Sequence, residues 1–243
     1  MATITNKIIR HQIFLERFAG GVALTMQAGI DAARDQAITS AVSDRNIDVK
    51  ALQAAIAATI QTHMARALNE VENLTGYEAD FNVKILKSEL KEVANTSQDK
   101  LLAALHNKPM PVGLADGGVN RKINPAYNKF SEQTARQLVQ PIKDSLVLGG
   151  DMLVVSETMV ALSAGLLSAQ ARSLSRSSVV HAANTSKEEV YKVNPITQVE
   201  WVSVLDSSTT DYCRGQDGKK YKIGSGPRPP AHYNCRSVTR PLI

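Results

Sequence analysis

The chain has 243 residues, of which 43% are hydrophobic, 21% charged and 5% aromatic. This length can bury a sizeable core as one large domain or two modest ones, and the composition excludes a disordered or collagen-like chain. No stretch reaches about 18 uninterrupted apolar residues and the first residues form no apolar leader, so we expect neither a membrane span nor a secretory signal. The two cysteines indicate synthesis in a reducing compartment and still permit one later disulfide.

The N-terminal part of the chain is patterned for long helices. Apolar residues recur every three or four positions over residues 3–41, which places them on one helical face. A turn is predicted at 43–46, and Asp48 is a suitable N-cap for a second helix. That helix is predicted to run to about Leu74, with Gly76 as its C-terminal stop.

A third helix is predicted over residues 77–106, where the apolar pattern resumes and Pro109 and Pro111 end it. Together the three helices define an N-terminal helical region, residues 1–112. The glycine-rich and asparagine-rich segment that follows, 113–126, carries the longest loop signal in the chain and is interpreted as a connector.

A second helical region is predicted over residues 127–192, with a kink or restart at Pro141. Within it, the run 145–171 is too apolar for one exposed helix, which indicates a helix that is buried or covered by a partner. A hydroxyl residue followed three positions later by Glu favours a new helix start near its end. Two pairs fit that pattern: Thr185 with Glu188, and Ser186 with Glu189.

The remaining residues, 193–243, are predicted to form a small β module. Strands are indicated at 199–205, at 219–223 and at 237–243, and the Asp217-Gly218 pair before the second strand is typical of a hairpin turn. Such a piece needs a staple or a supporting helix, because it buries little apolar surface alone. The fold class is therefore mainly α, with long helices and a small C-terminal β module, which is α+β overall.

The β module also carries most of the positive charge. From Trp201 onward there are seven Lys and Arg against three Asp, an excess of four in a chain whose net charge is +5. A local excess of this kind favours a phosphate backbone or an acidic protein face as its neighbour.

Both cysteines lie in this module, and we predict that Cys213, His232 and Cys235 converge to hold it closed. The Asp217-Gly218 turn folds the chain back, and a rigid proline pair then directs it toward the first strand. Two chemistries fit such a clasp: a disulfide or paired thiols, or a zinc site that needs a fourth ligand, for which Asp211 or water are the candidates.

The module resembles the C-terminal signature of the minor capsid, or head morphogenesis, proteins of tailed bacteriophages, the Mu F-like family. The resemblance covers roughly residues 170–243 and is most specific in the closing Pro-Pro-x-His-x-Asn-Cys-Arg stretch. The residues that carry it are Trp201, Asp206, Thr209, Cys213, Asp217, Gly218, Pro229, Pro230, His232, Asn234, Cys235 and Arg236.

Two positions depart from the family pattern, because Thr210 and Ser237 stand where that pattern has cysteines. A four-thiolate zinc site within one chain is thereby excluded, so a disulfide or paired thiols is favoured over metal, with His232 as a hydrogen-bonding brace. A Cys-His nucleophile is not favoured, because the sequence around these residues shows no pocket-forming context, and we expect no enzyme and no organic cofactor.

The resemblance implies a phage structural protein, bound inside the head or at the head-tail neck. It implies contact with the portal or other head and neck proteins, an oligomeric arrangement in the particle, and a part in head assembly, DNA packaging or DNA delivery. Packaged DNA is a second expected partner, through the basic tail, and synthesis in the host cytoplasm is expected. The alternative is a nucleic-acid-binding module whose tail is a degenerate zinc ribbon.

Overall fold

The computed structural model describes residues 4–43, 47–112 and 120–243, and it is mainly α-helical with a small C-terminal β module. The predicted turn at 44–46 and most of the predicted connector, 113–119, lie outside the described residues. The helices are α1 Ile4–Ser43, α2 Val49–Leu86, α3 Gln98–Asn107, α4 Ile123–Leu148, α5 Met152–Leu162, α6 Ser168–Lys192 and α7 Asp211–Gln216, with a π-helical turn, Ser163–Leu167, between α5 and α6. The strands are β1 Met110–Pro111, β2 Asn120–Arg121, β3 Gln198–Val202, β4 Lys220–Lys222 and β5 Val238–Leu242.

The helical body, formed by α1 to α6, is built on one continuous apolar core. In α1 and α2 the buried side chains recur at the spacing that the sequence pattern predicts, and each such burial contributes about 1.5–3 kcal/mol to folding. The central members are fully buried: Val22, Met26, Ile30, Ile56, Ile60, Met64 and Phe130. The body therefore owes its stability to helix packing.

One close approach fixes the crossing of α1 over α2. A Cβ atom at Gly29 would lie 2.6 Å from the Cβ of His63, so only glycine lets the two backbones come this near. His63 therefore packs against α1 at this crossing.

The predicted break between the second and third helices is wrong. Asp48 caps α2 as expected, accepting hydrogen bonds from two backbone N–H groups. The helix then passes through Gly76 without a stop and ends at Leu86, because Ala79, Val83 and Leu86 bury their side chains in a second apolar cluster. The third helix, α3, is correspondingly short and begins after Ser97, whose side chain caps it.

Three further boundaries differ from the sequence prediction. The connector ends early, since β1 pairs with β2 and α4 already begins at Ile123. Helix α4 runs through Pro141 as one element, held by buried neighbours such as Leu138 and Ile142. Thr185 begins no new helix: it lies buried inside α6, as does Ser186 of the alternative pair, because that stretch packs against the core.

The α4–α5 corner, residues 146–166, leaves its apolar side chains in solvent. Gly149 ends α4 in a left-handed conformation, and Asp151 caps α5. The exposed fraction reaches 83% at Val147 and 82% at Leu148. The other large apolar side chains exposed on this corner are Leu146, Leu153, Val154, Val160 and Leu166.

The continuous helical stretch Met152–Lys192 is long and apolar enough, by length and composition alone, to cross a membrane. Its most apolar 18 residues have a mean hydropathy of 1.7, and 22% of them are buried. Core helices of proteins without a membrane span pass the same test, and the later part of this stretch is core: Leu174, Val179 and Ala183 are fully buried.

The C-terminal module is a three-stranded antiparallel sheet in the order β4-β3-β5. The third predicted strand is confirmed as β5, which pairs with β3 from Gln198 opposite Leu242 to Val202 opposite Val238. The predicted hairpin is wrong in its connection, because β3 ends at Val202 and a loop containing α7 precedes Asp217-Gly218. That pair instead lies beside Trp201, where Gly218 donates its N–H to the Trp201 carbonyl.

Candidate Cys-His clasp of the C-terminal module

The module is organised around Trp201, which is fully buried on β3. Its indole Nε1 donates a hydrogen bond of 2.8 Å to Ser203 Oγ, and Ser203 Oγ donates onward to the Cys213 carbonyl at 2.9 Å. The apolar face of the ring packs with both cysteines in one small cluster. The single tryptophan thus ties the first strand to α7 and to the closing motif.

The three predicted clasp residues do converge. Cys213 Sγ lies 3.0 Å from His232 Nε2 and 3.8 Å from Cys235 Sγ. The donor atoms of all three residues lie within 4.8 Å of one another. Cys213 is 2% exposed and Cys235 is fully buried. These three residues form what we call the clasp.

Local backbone structure orients each residue of the clasp. Thr210 caps the short helix α7, its hydroxyl accepting from the Cys213 N–H at 3.3 Å, and so fixes the position of Cys213. His232 Nδ1 donates to the Tyr233 carbonyl at 2.8 Å, which leaves Nε2 facing the sulfurs. Cys235 follows Asn234, whose left-handed φ of 57° turns the chain inward.

The clasp holds a thiolate. The hydrogen bond from Cys235 lowers the pKa of Cys213 to about 4, with His232, Ser237 and Thr210 adding to the effect against burial. The same contact with Cys213 raises the pKa of Cys235, and the hydrogen bond to Cys213 raises the pKa of His232. The negative charge is therefore favoured on Cys213, with Cys235 as its hydrogen-bond donor.

The donor set suits a zinc ion. Zinc bound by thiolates at about 2.3 Å in tetrahedral geometry separates two sulfurs by about 3.8 Å. The two clasp sulfurs have that separation, and the nitrogen of a half-buried imidazole supplies a third ligand of the right type. Asp211, one candidate for the fourth ligand, does not belong to this group among the described residues, so a fourth position would fall to water.

In a zinc-bound clasp, Cys213, Cys235 and His232 Nε2 would hold the ion. The ion would supply cross-linking energy to a small module, because binding that requires the folded arrangement stabilises that arrangement.

The same arrangement suits thiol pairing. The two cysteines are free in this structure, with sulfurs in contact at 3.8 Å. A disulfide needs about 2.05 Å between sulfurs, so oxidation requires a further approach of less than about 2 Å. The geometry thus supports the predicted clasp and accommodates both chemistries that the sequence left open.

The remaining motif residues brace the loops around the clasp. Asp206 and Arg236 form a two-point ion pair with contacts of 2.5 and 2.6 Å, and the Arg236 guanidinium holds the pKa of Asp206 well below its usual range. Thr209 caps the same turn by bonding the Val204 carbonyl. These contacts join the loop before α7 to the loop that carries Cys235.

A second set of motif residues fixes the chain on either side. Asp217 Oδ1 accepts the Ser203 N–H at 2.7 Å, and Gly218 occupies the left-handed region with φ of 77°. Pro229 and Pro230 are buried, and the Asn234 N–H donates to Ser177 Oγ of α6 at 3.3 Å. The closing motif is therefore anchored to the helical body as well as to the sheet.

Sequence reasoning missed Ser203, which connects Trp201, Cys213 and Ser237 through hydrogen bonds. No spacing marks it, since a serine after a strand is unremarkable. Thr210 and Ser237 were noticed only as replacements for cysteine, yet both hydroxyls bond Cys213. At both positions a hydroxyl oxygen contacts the clasp where the resembling motif has a cysteine sulfur.

Comparison of the chain with protein-family models, with curated proteins and with solved structures finds no match.

Proposed function

We propose that this chain is a structural component of a tailed-bacteriophage particle, a minor capsid or head morphogenesis protein bound at the portal or neck. The observation that supports it is the convergence of the resembling motif on a single buried clasp. Residues from Trp201 to Arg236 that are scattered along the sequence meet as one brace for a small module. Contacts that only hold a small module together are consistent with a particle component that has no catalytic role.

Burial of the clasp favours a structural role over catalysis. With Cys213 2% exposed and Cys235 fully buried, a substrate has no direct approach to either sulfur. The thiolate on Cys213 is held by hydrogen bonds from its neighbours, which stabilise the charge and lower its nucleophilicity. We therefore propose that the clasp maintains the fold of the module and performs no turnover.

The α4–α5 corner is the surface through which we propose that the protein binds the portal. Its apolar side chains form a patch of neighbouring residues, unlike isolated exposed residues such as Leu24 on α1. A contiguous exposed apolar patch marks an interaction site. The flanking acids Asp144, Asp151 and Glu157 provide a polar rim of the kind found around protein interfaces.

A protein partner fits this corner better than a lipid bilayer. A span needs only about 20 residues, so it would take α5 and the π-helical turn out of the body. Val155, Met159 and Leu167 of that part are buried in the core of the body. Withdrawing them would dismantle the packing of α5 and the π-helical turn against α1. Docking through α5 leaves that packing intact.

The basic surface of the module supports a subsidiary contact with DNA. Arg214, Lys219 and Lys220 are exposed, and none of the three has an acidic partner among the described residues. The alternative function, a nucleic-acid-binding module with a degenerate zinc-ribbon tail, predicts that DNA affinity is the main activity. It also predicts a steep decrease of that affinity as salt rises.

Co-expression with a portal protein from the same phage tests the proposal. We expect the wild type to purify with the portal ring, and L148D to lose that association, because it places a charge in the apolar patch. L24D is the matched control: Leu24 is 72% exposed on α1, away from the corner, and its substitution should leave binding unchanged. A monodisperse monomer that ignores the portal, or equal loss in both variants, contradicts the proposal.

Quantitative mass spectrometry of purified particles gives an independent check. We expect the chain in full particles at a fixed copy number relative to the portal, and comparison with emptied particles shows whether it leaves with the DNA. Absence from particles, combined with salt-dependent DNA binding by the purified chain, would favour the nucleic-acid-binding alternative instead.

A further inference from the structure

A half-open cavity of about 240 Å³ lies where α6 meets the C-terminal sheet, away from the clasp. Tyr191 of α6 lines one side, and Val199 and Tyr221 of the sheet line another. The segment 223–228, which follows β4, forms the rim. The cavity thus combines a flat apolar wall with a polar edge, as small-ligand sites do.

The charges around this cavity leave a positive excess. Glu188 is the acidic lining residue, and it is already paired with Lys108 at 3.1 Å and with Lys192 at 2.8 Å. The connected group, together with the lining Lys222, contains four cations and two anions: Lys108, Lys192, Lys222 and Arg228 against Glu188 and Glu189. The net charge of +2 matches a dianion better than a carboxylate.

Donors remain available for that anion. Arg228 donates to Thr185 Oγ1 at 3.1 Å and to the Pro109 carbonyl at 3.3 Å, which uses two of the five N–H groups of a guanidinium. Lys222 is exposed at the rim and has no acidic partner among the described residues. An anion in the cavity would therefore accept charge-assisted hydrogen bonds from two sides.

The rim is shaped by glycine. Gly224 and Gly226 have φ of 77° and 85°, which other residues rarely adopt. A Cβ at Gly226 would lie 2.6 Å from Cδ1 of Tyr221, so only glycine allows the rim to approach this edge of the tyrosine ring so closely. The two glycines therefore determine the shape of the cavity opening. This glycine-proline segment takes no part in the clasp.

We propose that this cavity binds a phosphate monoester carried on a planar ring. The phosphate accepts from Arg228 and Lys222, and the ring packs against Tyr221 and Val199. This assignment is independent of the proposed particle role.

Isothermal titration calorimetry on the full chain tests the assignment with phenyl phosphate as the probe. Benzoate tests whether a carboxylate suffices, and benzamide tests whether the ring alone binds. We expect phenyl phosphate to bind more tightly than benzoate, and benzamide to give no saturable heat. Equal binding of benzoate or benzamide, or no binding of phenyl phosphate, overturns the proposal.

Two variants and one matched control locate the site. We expect R228Q to weaken phenyl phosphate binding about tenfold or more and K222Q to weaken it less, since each removes a charge-assisted donor. K220Q removes a lysine on the same strand that does not line the cavity, and it should bind as the wild type does. Because Arg228 also bonds the body, K222Q is decisive if R228Q misfolds: unchanged binding in K222Q, or an equal loss in K220Q, overturns the site.

A short oligonucleotide with and without a 5′-phosphate identifies the source of the ester. Tighter binding of the phosphorylated strand, lost in K222Q, assigns a nucleic-acid end. Binding of phenyl phosphate without any preference between the two strands assigns a free small ester.

Discussion

The helical body and the C-terminal module are stabilised in different ways. The body has a continuous core contributed by six helices and the π-helical turn, in which most side chains are aliphatic. The core of the module consists of Trp201, Cys213 and Cys235, with Tyr221 and Ala231 packed against them. Apolar burial alone accounts for the body, whereas the module adds hydrogen bonds and a clasp to a few large contacts.

The difference shows where each region is vulnerable. A large distributed core tolerates the loss of one methyl group, because many neighbours share the burial. A core of three residues has no such reserve, so single substitutions in it remove most of the stabilisation at once. The module also contacts the body through Val238, which packs with Ile8 and Ile85. Unfolding of the module should therefore affect the body only around this contact.

The largest expected effect comes from W201A. Removing the buried indole leaves a cavity and takes one hydrogen-bond donor from the Ser203 hydroxyl, which together should cost the module about 3–5 kcal/mol. Near-ultraviolet circular dichroism and the dispersion of strand amide signals should be lost. The helical far-ultraviolet signal should persist, and its loss would show that the two regions are not separable.

Acidification should weaken the body through His181. Burial lowers the pKa of this histidine to about 4, with Arg228 and Lys108 adding to the shift, while its ordinary value is 6.5. Between pH 6.5 and pH 4, His181 is protonated in the unfolded state but largely neutral in the folded state. The free energy of unfolding therefore decreases as pH falls from 6.5 toward 4. The loss should reach about 2 kcal/mol at pH 5.

Urea unfolding of the body, followed by helical circular dichroism at pH 7 and pH 5, measures this loss. H181Q keeps a donor for the Leu105 carbonyl, which His181 Nε2 contacts at 3.1 Å, and removes the titration. The variant should lose less stability than the wild type over the same pH step. Identical pH dependence in the two proteins would contradict the assignment, since the other histidines are common to both.

A glycine pair in α1 should give smaller effects of opposite sign. G29A places a methyl group 2.6 Å from His63 Cβ, an atom that cannot rotate away, and should cost about 1 kcal/mol. G21A lies at an exposed helical position with nothing within 4 Å of the new methyl group, so it should stabilise the body by about 0.5–1 kcal/mol. Thermal unfolding of both variants checks the prediction, and a shared sign would refute the packing account of Gly29.

The same contrast explains how much the sequence could predict. The spacing of apolar residues was sufficient to predict α1 and the first part of α2, because the buried faces of these helices follow the helical repeat. The predicted helix stop at Gly76 was wrong, because the low helix propensity of glycine is outweighed by the burial of Ala79, Val83 and Leu86 beyond it. The capping pattern at Thr185 failed for a similar reason, because that residue is buried inside α6.

In the module, motif chemistry predicted more than local pattern did. The convergence of Cys213, His232 and Cys235 is confirmed in the structure. The Asp217-Gly218 hairpin was wrong, because α7 occupies the connection and the turn pairs with Trp201. Neither the contribution of Ser203 nor the bonding of Thr210 and Ser237 to Cys213 has a sequence signal, since each depends on distant segments meeting.

Hydrogen exchange with mass spectrometry on the wild type and on C213S/C235S tests most directly whether the clasp holds the module and the apolar core holds the body. The double variant removes both sulfurs, so it abolishes the thiol contact and any zinc site together. We predict that exchange of the β3 to β5 amides rises about tenfold or more while α1, α2 and α4 keep their protection. Unchanged protection of the three strands, or an equal rise in the helical body, would contradict the account.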